Sequence, residues 1–177
     1  ETFFNYYRKY MLMPPLEPSA GFYALAELEK QGKLQCSIAN NVHNLPGRAG
    51  CKKILNLHGT IYDNECPRCG KKYSMEYMRD SKKVPLCESC MVPVRPKVLL
   101  FGEQVDNQMM TAAVSEISKA QVLLLLGTSI NSGLCDGYVQ YFKGDTMIII
   151  NAQDHYTDEK ADIVLREEVK SALPKIV

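Results

Sequence analysis

Four of the seven cysteines stand in two Cys-x-x-Cys pairs, Cys66-Pro67-Arg68-Cys69 and Cys87-Glu88-Ser89-Cys90, with seventeen residues between the pairs. Each pair turns two thiolates toward one point. Two pairs complete a tetrahedron of sulfur donors and leave no coordination position open, which is the chemistry of a structural zinc and not of one that activates water. A redox pair or a chance spacing are the alternatives. Gly70 suits the tight turn after the second ligand. The lysine pairs at 71–72 and 82–83 read as the solvated surface of this module.

A second set of residues falls at or just past the ends of predicted strands. In parallel sheets ligands bind beyond the carboxyl ends of the strands. His58, followed by Gly59, is placed to act there as a general base, or else is a loop histidine bonded to backbone. Asn41 serves either a turn or a ligand. Gly127-Thr128-Ser129 follows the most apolar strand, with Gly133 and Gly137 after it. Glycine allows close backbone approach and small hydroxyls can bond phosphate or ribose, but this is not a complete dinucleotide fingerprint. Asn151 ends the next buried strand and is either a turn former or a ligand contact. The stretch Arg95 to Glu103 ends in an exposed loop, Phe101-Gly102-Glu103. It is either an edge that accepts an extended peptide by strand addition or an ordinary strand–helix connection.

The elements that would carry these residues alternate. Phe3 to Met13 is a helix stopped by Pro14 and Pro15. Pro18-Ser19 opens a helix with Phe22, Leu25, Ala26 and Leu28 at helical spacing and Gly32 as its stop. Leu34–Ala39 and Ile54–Leu57 read as strands, with a loop over Asn40–Gly50 between them. Residues 60–93 are polar, Lys-rich and carry the cysteines, as an inserted module would. Lys97–Phe101 is a strand and Val105–Lys119 a helix. Gln121–Leu126 is a near-continuous apolar run, expected of a parallel strand buried on both faces. Then come a loop to Gly133, a helix over Asp136–Lys143, a buried strand over Thr146–Ile150, a short strand over Asp162–Leu165 and a closing helix from about Glu167. Such alternation predicts an α/β fold: a parallel sheet with helices on both faces, with the small cysteine-bearing module inserted in it.

Composition narrows the classes. The chain has 177 residues, 46% hydrophobic and 23% charged, which suits a packed domain and excludes disorder. A formal charge of +1 gives no electrostatic case for nucleic acid. The longest apolar run, Val122–Leu126, is far shorter than a membrane span. Seven cysteines, an odd number, do not suit a fully paired secreted framework; a reducing compartment, the cytoplasm, is expected. The chain begins at Glu1 rather than Met, which reads as a fragment or a trimmed product.

Taken together these residues resemble the sirtuins, the NAD-dependent protein deacylases. The shared order is Pro18, Ala24-Leu25, Leu28-Glu29, Asn41, Arg48-Ala49-Gly50, Leu57-His58-Gly59, the four cysteines, Arg95-Pro96, Phe101-Gly102-Glu103, Gly127-Thr128-Ser129 and Ile150-Asn151. The resemblance implies a large Rossmann-like domain and a small zinc-bearing one that bind NAD as co-substrate and an acyl-lysine protein or peptide. It implies that His58 is the general base toward the ribose hydroxyls and that Asn41 orients ribose and water. Gly127, Thr128, Ser129 and Asn151 would hold the adenosine half. Phe101, Gly102 and Glu103 would pair with the substrate peptide, and Cys66, Cys69, Cys87 and Cys90 would hold zinc. The implied chemistry is attack of the acyl oxygen on the ribose carbon as nicotinamide leaves, then capture of the acyl group by a ribose hydroxyl. The expected division is 1–23 as the helical part of the small domain, 24–59 with 98–177 as the NAD-binding domain, and 60–97 as the zinc module.

The sequence also departs from the family pattern. The Gly-Ala-Gly and Asp-Phe-Arg stretches of sirtuins are absent, and Glu1 falls after both, so a missing N-terminal segment is expected. The usual Gln-Asn-Ile-Asp reads Asn40-Asn41-Val42-His43, Pro46 replaces a histidine, and Ser132 and Leu134 replace a Val and a Pro. The Tyr and Arg of acid-selective sirtuins align with Phe4 and Tyr7, which implies a preference for neutral acyl groups. Besides a deacylase, two readings stay open. One is a protein ADP-ribosyltransferase or NAD hydrolase on the same fold. The other is a non-catalytic NAD- or ADP-ribose-binding module.

Overall fold

The computed structural model describes residues 1–12 and 16–177. The helix stop expected at Pro14 and Pro15 lies outside the described residues. The helices are α1 Thr2–Tyr10, α2 Ala20–Lys30, α3 Leu45–Ala49, α4 Met75–Asp80, α5 Asn107–Lys119, α6 Gly133–Val139 and α7 Val169–Ala172. The strands are β1 Ser37–Ala39, β2 Ile54–Asn56, β3 Gly59–Glu65, β4 Lys72–Tyr73, β5 Arg95–Val98, β6 Val122–Leu126, β7 Thr146–Ile150 and β8 Ile163–Leu165. They fall into two compact units, one of Glu1–Glu17, Asn40–Asn44 and Asn56–Val105, the other of Pro18–Ala39, Leu45–Leu55 and Asp106–Val177.

The second unit is built on the parallel sheet β6-β7-β8. Successive side chains of a strand face opposite ways, and the strand sequences exploit both directions. Leu126, Ile148, Ile150 and Leu165 pack with Ala24 and Leu25 of α2 and with Val169, Ala172 and Leu173 at the chain's end. Leu123, Leu125, Met147, Ile149 and Val164 pack with Ile130 and with Cys135 and Val139 of α6. Helices therefore cover both faces. β7 is central, and Ile149 and Ile150 are fully buried. β6 lies at an edge, so its first residue, Val122, is half exposed and the run is not buried on both faces throughout. The N-terminus of α5 is capped by Asp106, whose carboxylate accepts from the N–H groups of Gln108 (2.9 Å) and Met109 (3.1 Å).

The first unit holds the antiparallel sheet β4-β3-β5. Its core joins Phe4 and Tyr7 of α1 to Ile61, Tyr73, Met78, Val94 and Val98, with Cys66 and Cys87 among them. Ser74 caps α4 by accepting from the N–H of Tyr77 at 3.2 Å.

Several expectations are corrected. Residues 45–49 form the short helix α3 within the expected loop; Pro46 sits in its first turn, where a missing N–H costs nothing. The strand placed at 97–101 runs over Arg95–Val98 and pairs antiparallel with β3 instead of joining the parallel sheet. Its alternation explains this: Pro96 and Val98 are buried while Arg95 and Lys97 face solvent, the pattern of a strand with one wet face. α6 begins at Gly133, three residues before the expected start at Asp136. The borders expected at 23/24 and 97/98 run inside α2 and β5, and each element packs as a whole with one unit.

Candidate functional site

The cysteine module is two near-identical turns. In the first, Gly70 N–H donates to the Cys66 carbonyl at 2.9 Å; in the second, Met91 N–H donates to the Cys87 carbonyl at 2.8 Å. The residue after each second ligand is left-handed, Gly70 at φ +73° and Met91 at φ +54°. The glycine was legible in the sequence; Met91 in that conformation was not. All four Sγ atoms lie within 4.8 Å of one another, with Cys69 and Cys87 at 3.7 Å. A tetrahedron of Zn–S bonds of ~2.3 Å has edges of about 3.8 Å, so the donor set fits zinc. The Cys66 sulfur accepts from the Arg68 N–H at 3.4 Å. A hydrogen bond from the Tyr73 hydroxyl holds the Cys87 thiol down at about 6. That hydroxyl in turn accepts from the Glu88 N–H at 2.9 Å.

Asn41 and His58 belong to the same unit. Asn41 Oδ1 accepts from the His43 N–H at 3.1 Å and closes a tight turn over 41–44. This turn is tied to the chain on both sides of His58. The Ile61 N–H donates to the Val42 carbonyl at 3.0 Å, and Asn56 Nδ2 donates to Asn44 Oδ1 at 3.2 Å. Asn44 holds φ +47°, a conformation asparagine tolerates better than most residues. His58 is half-buried between buried Leu57 and Gly59, and its carbonyl accepts from the Leu99 N–H at 2.9 Å. Asn44 and Asn56 were missed from the sequence, where neither carries a motif.

Phe101, Gly102 and Glu103 follow β5 in this unit. β5 is an edge strand of the sheet. Phe101 is fully exposed. Glu103 is turned inward on its own loop: Oε2 accepts from the Leu100 N–H at 2.9 Å and the carboxylate pairs with Arg95. The bond from Leu100 and then the guanidinium hold this carboxyl below its usual range. Phe4 and Tyr7, aligned with an acyl-selecting pair, lie in the core of the unit. Arg8 is committed elsewhere, to the Lys83 carbonyl and to Asn5 Oδ1, both at 2.9 Å.

Gly127, Thr128, Ser129 and Asn151 belong to the other unit. Leu126 pairs with Ile150, so Gly127 and Asn151 are the first residues past the paired ends of neighbouring parallel strands. This is the carboxyl edge, where open α/β sheets bind ligands. The Gly127 N–H donates to the Ile150 carbonyl at 2.9 Å, and the Thr128 and Ser132 hydroxyls are bonded at 2.8 Å.

One unit carries a Rossmann-like parallel sheet with glycine and asparagine at its carboxyl edge, and the other carries four clustered cysteines, the two features expected of a zinc-bearing, nucleotide-binding class of protein. The Sir2 family model matches residues 1–132. Across its whole length the chain is 35% identical to an NAD-dependent protein deacetylase of Clostridium acetobutylicum, covering 73% of that protein. A deacetylase of Clostridium perfringens is 34% identical over the same shares. Among solved structures, one reported under the structural basis of sirtuin substrate affinity superposes with a TM-score of 0.91 at 27% identity, over 99% of this chain and 74% of that one. Sir2Tm bound to a propionylated peptide superposes at 0.83 and 28% identity, over 98% and 76%. The chain belongs to the Sir2 family. No helix among the described residues is long and apolar enough to cross a membrane.

Proposed function

We propose that this protein removes acyl groups from protein lysine in an NAD-dependent reaction that yields nicotinamide and O-acyl-ADP-ribose. The observation that carries the reading is the double tie of the 41–44 turn to the segment bearing His58, which fixes the two candidate catalytic groups on one frame. In this reading the acyl oxygen attacks the ribose carbon as nicotinamide departs. His58 takes the proton of a ribose hydroxyl, which then captures the acyl group. Asn41 orients the ribose and water. Gly127, Thr128, Ser129 and Asn151 hold the adenosine half. The open edge at β5, continued by Phe101-Gly102-Glu103, receives the peptide as an added strand. Zinc bound by Cys66, Cys69, Cys87 and Cys90 supplies folding energy and takes no part in the reaction. A four-thiolate site and bacterial relatives favour the cytoplasm.

His43 stands where the family has an aspartate that grips the nicotinamide amide, and this favours weighing ADP-ribosyl transfer or NAD hydrolysis against deacylation. Incubation with NAD and an acetyl-lysine peptide separates them. O-acyl-ADP-ribose is the expected product; ADP-ribosylated protein or free ADP-ribose alone would overturn the reading, and no turnover would leave a binding module.

A further inference from the structure

The connection from β7 to β8 is gathered on one guanidinium. Arg166, the residue after β8, donates from Nη1 to Asp158 Oδ2 at 2.7 Å and to the Gln153 carbonyl at 3.2 Å, and from Nη2 to Asp154 Oδ1 at 2.6 Å. Asp158 is only 2% exposed. A carboxylate so buried demands a cation, and Arg166 supplies it. The ion pair therefore fixes where the guanidinium sits, and the guanidinium fixes Gln153.

From Gln153 the chain of contacts reaches the candidate nucleotide edge. The Gln153 N–H donates to Asn151 Oδ1 at 3.3 Å, and the Asn151 N–H donates to the Leu165 carbonyl at 3.1 Å. Residues 151–153 are thus gripped by the backbone of residue 165 and the side chain of residue 166. An asparagine amide carries one acceptor and one donor end. With Oδ1 held by Gln153, the amide keeps its NH2 end for a ligand acceptor and does not flip.

We propose that Arg166, braced by buried Asp158, is a positioning residue that presets Asn151 for the adenosine half of NAD. This rests on the role given to Asn151 above. Preset geometry lowers the ordering cost of binding and so acts on NAD affinity and not on the chemical step.

Steady-state kinetics on an acetyl-lysine peptide with NAD varied test it, using Asn151→Ala, Arg166→Gln and their combination. Asn151→Ala and Arg166→Gln should each raise KM for NAD roughly tenfold, the scale of one hydrogen bond to a charged or precisely held group. In Arg166→Gln the turnover at saturating NAD and KM for peptide should stay within about twofold. The double variant should be no worse than Asn151→Ala, because the two residues act as one unit. Arg166→Lys keeps a counter-charge for Asp158 but cannot span three acceptors, so it should fold and show the same rise in KM. A purely structural role would lower the melting temperature and the active fraction while leaving KM for NAD unchanged. Normal KM in both Arg166 variants, or strictly additive effects, would overturn the proposal. An unchanged KM in Asn151→Ala would overturn the role of Asn151 and this proposal with it.

Discussion

Gly59 lies against the Lys97 carbonyl so closely that a Cβ on the glycine would fall inside the oxygen. The glycine also holds φ +69°, and Gly59 pairs with Val98 at the start of the β3–β5 ladder. The substitution Gly59→Ala therefore meets both a conformational cost of ~1–2 kcal/mol and a backbone collision. It should destabilise the protein by at least about 2 kcal/mol in urea unfolding and reduce turnover, because the displaced ladder begins one residue after His58. A wild-type midpoint would show that the strands separate freely.

Removal of one thiolate tests the metal. Cys87→Ser should lose the bound zinc and unfold the cysteine module, since binding energy here is folding energy. Elemental analysis of the purified protein reads the loss; a metal-free protein with unchanged melting would refute it. Acid should act in the same sense. Ligation needs deprotonated sulfur, so protons compete with zinc, and chelator extraction should speed up as pH falls and slow as it rises.

His58→Ala should lower deacylation by ~10²–10⁴-fold, the usual worth of a general base. Binding of NAD, followed by calorimetry, should be nearly intact. Unchanged turnover would remove His58 from the chemistry and favour the binding-module reading.

Acyl preference follows from the first unit's core. Phe4 and Tyr7 are buried and neither carries a positive charge, while Arg8 is bonded to Asn5 and Lys83. Burial also raises the Tyr7 pKa, so its hydroxyl stays neutral. A succinyl carboxylate brought there would be desolvated without a partner. Acetyl-lysine peptide should therefore show the higher kcat/KM, and faster desuccinylation would mean that Phe4 and Tyr7 are core residues only and do not meet the acyl group.

What the sequence discloses is mostly local. The cysteine spacing, the helix α2 with its stop near Gly32, and the strand Thr146–Ile150 depend on neighbours a few residues away and read correctly. The partner of β5 does not, because antiparallel pairing with β3 joins residues thirty or more apart and only the alternation at Arg95–Val98 hints at it. For the candidate site, His58, Asn41, Gly127 and Asn151 stood out by motif. Asn56 with Asn44, and Arg166 with Asp158, did not, since each matters through a contact across a fold that has to exist first.

The exposed flank of β5 has a further consequence for life at high concentration. A strand whose outer N–H and C=O groups await a visiting peptide is equally a template for another copy of itself. Here that flank carries Arg95 and Lys97 on the solvent side of the strand and a proline, which has no N–H to offer, between them. Arg95 and Lys97 are already paired there, with Glu103 and Glu65, so the missing N–H of Pro96, which interrupts the row of donors open to a second copy, is the stronger deterrent. The same residues that leave a berth open thereby act as a guard against self-association.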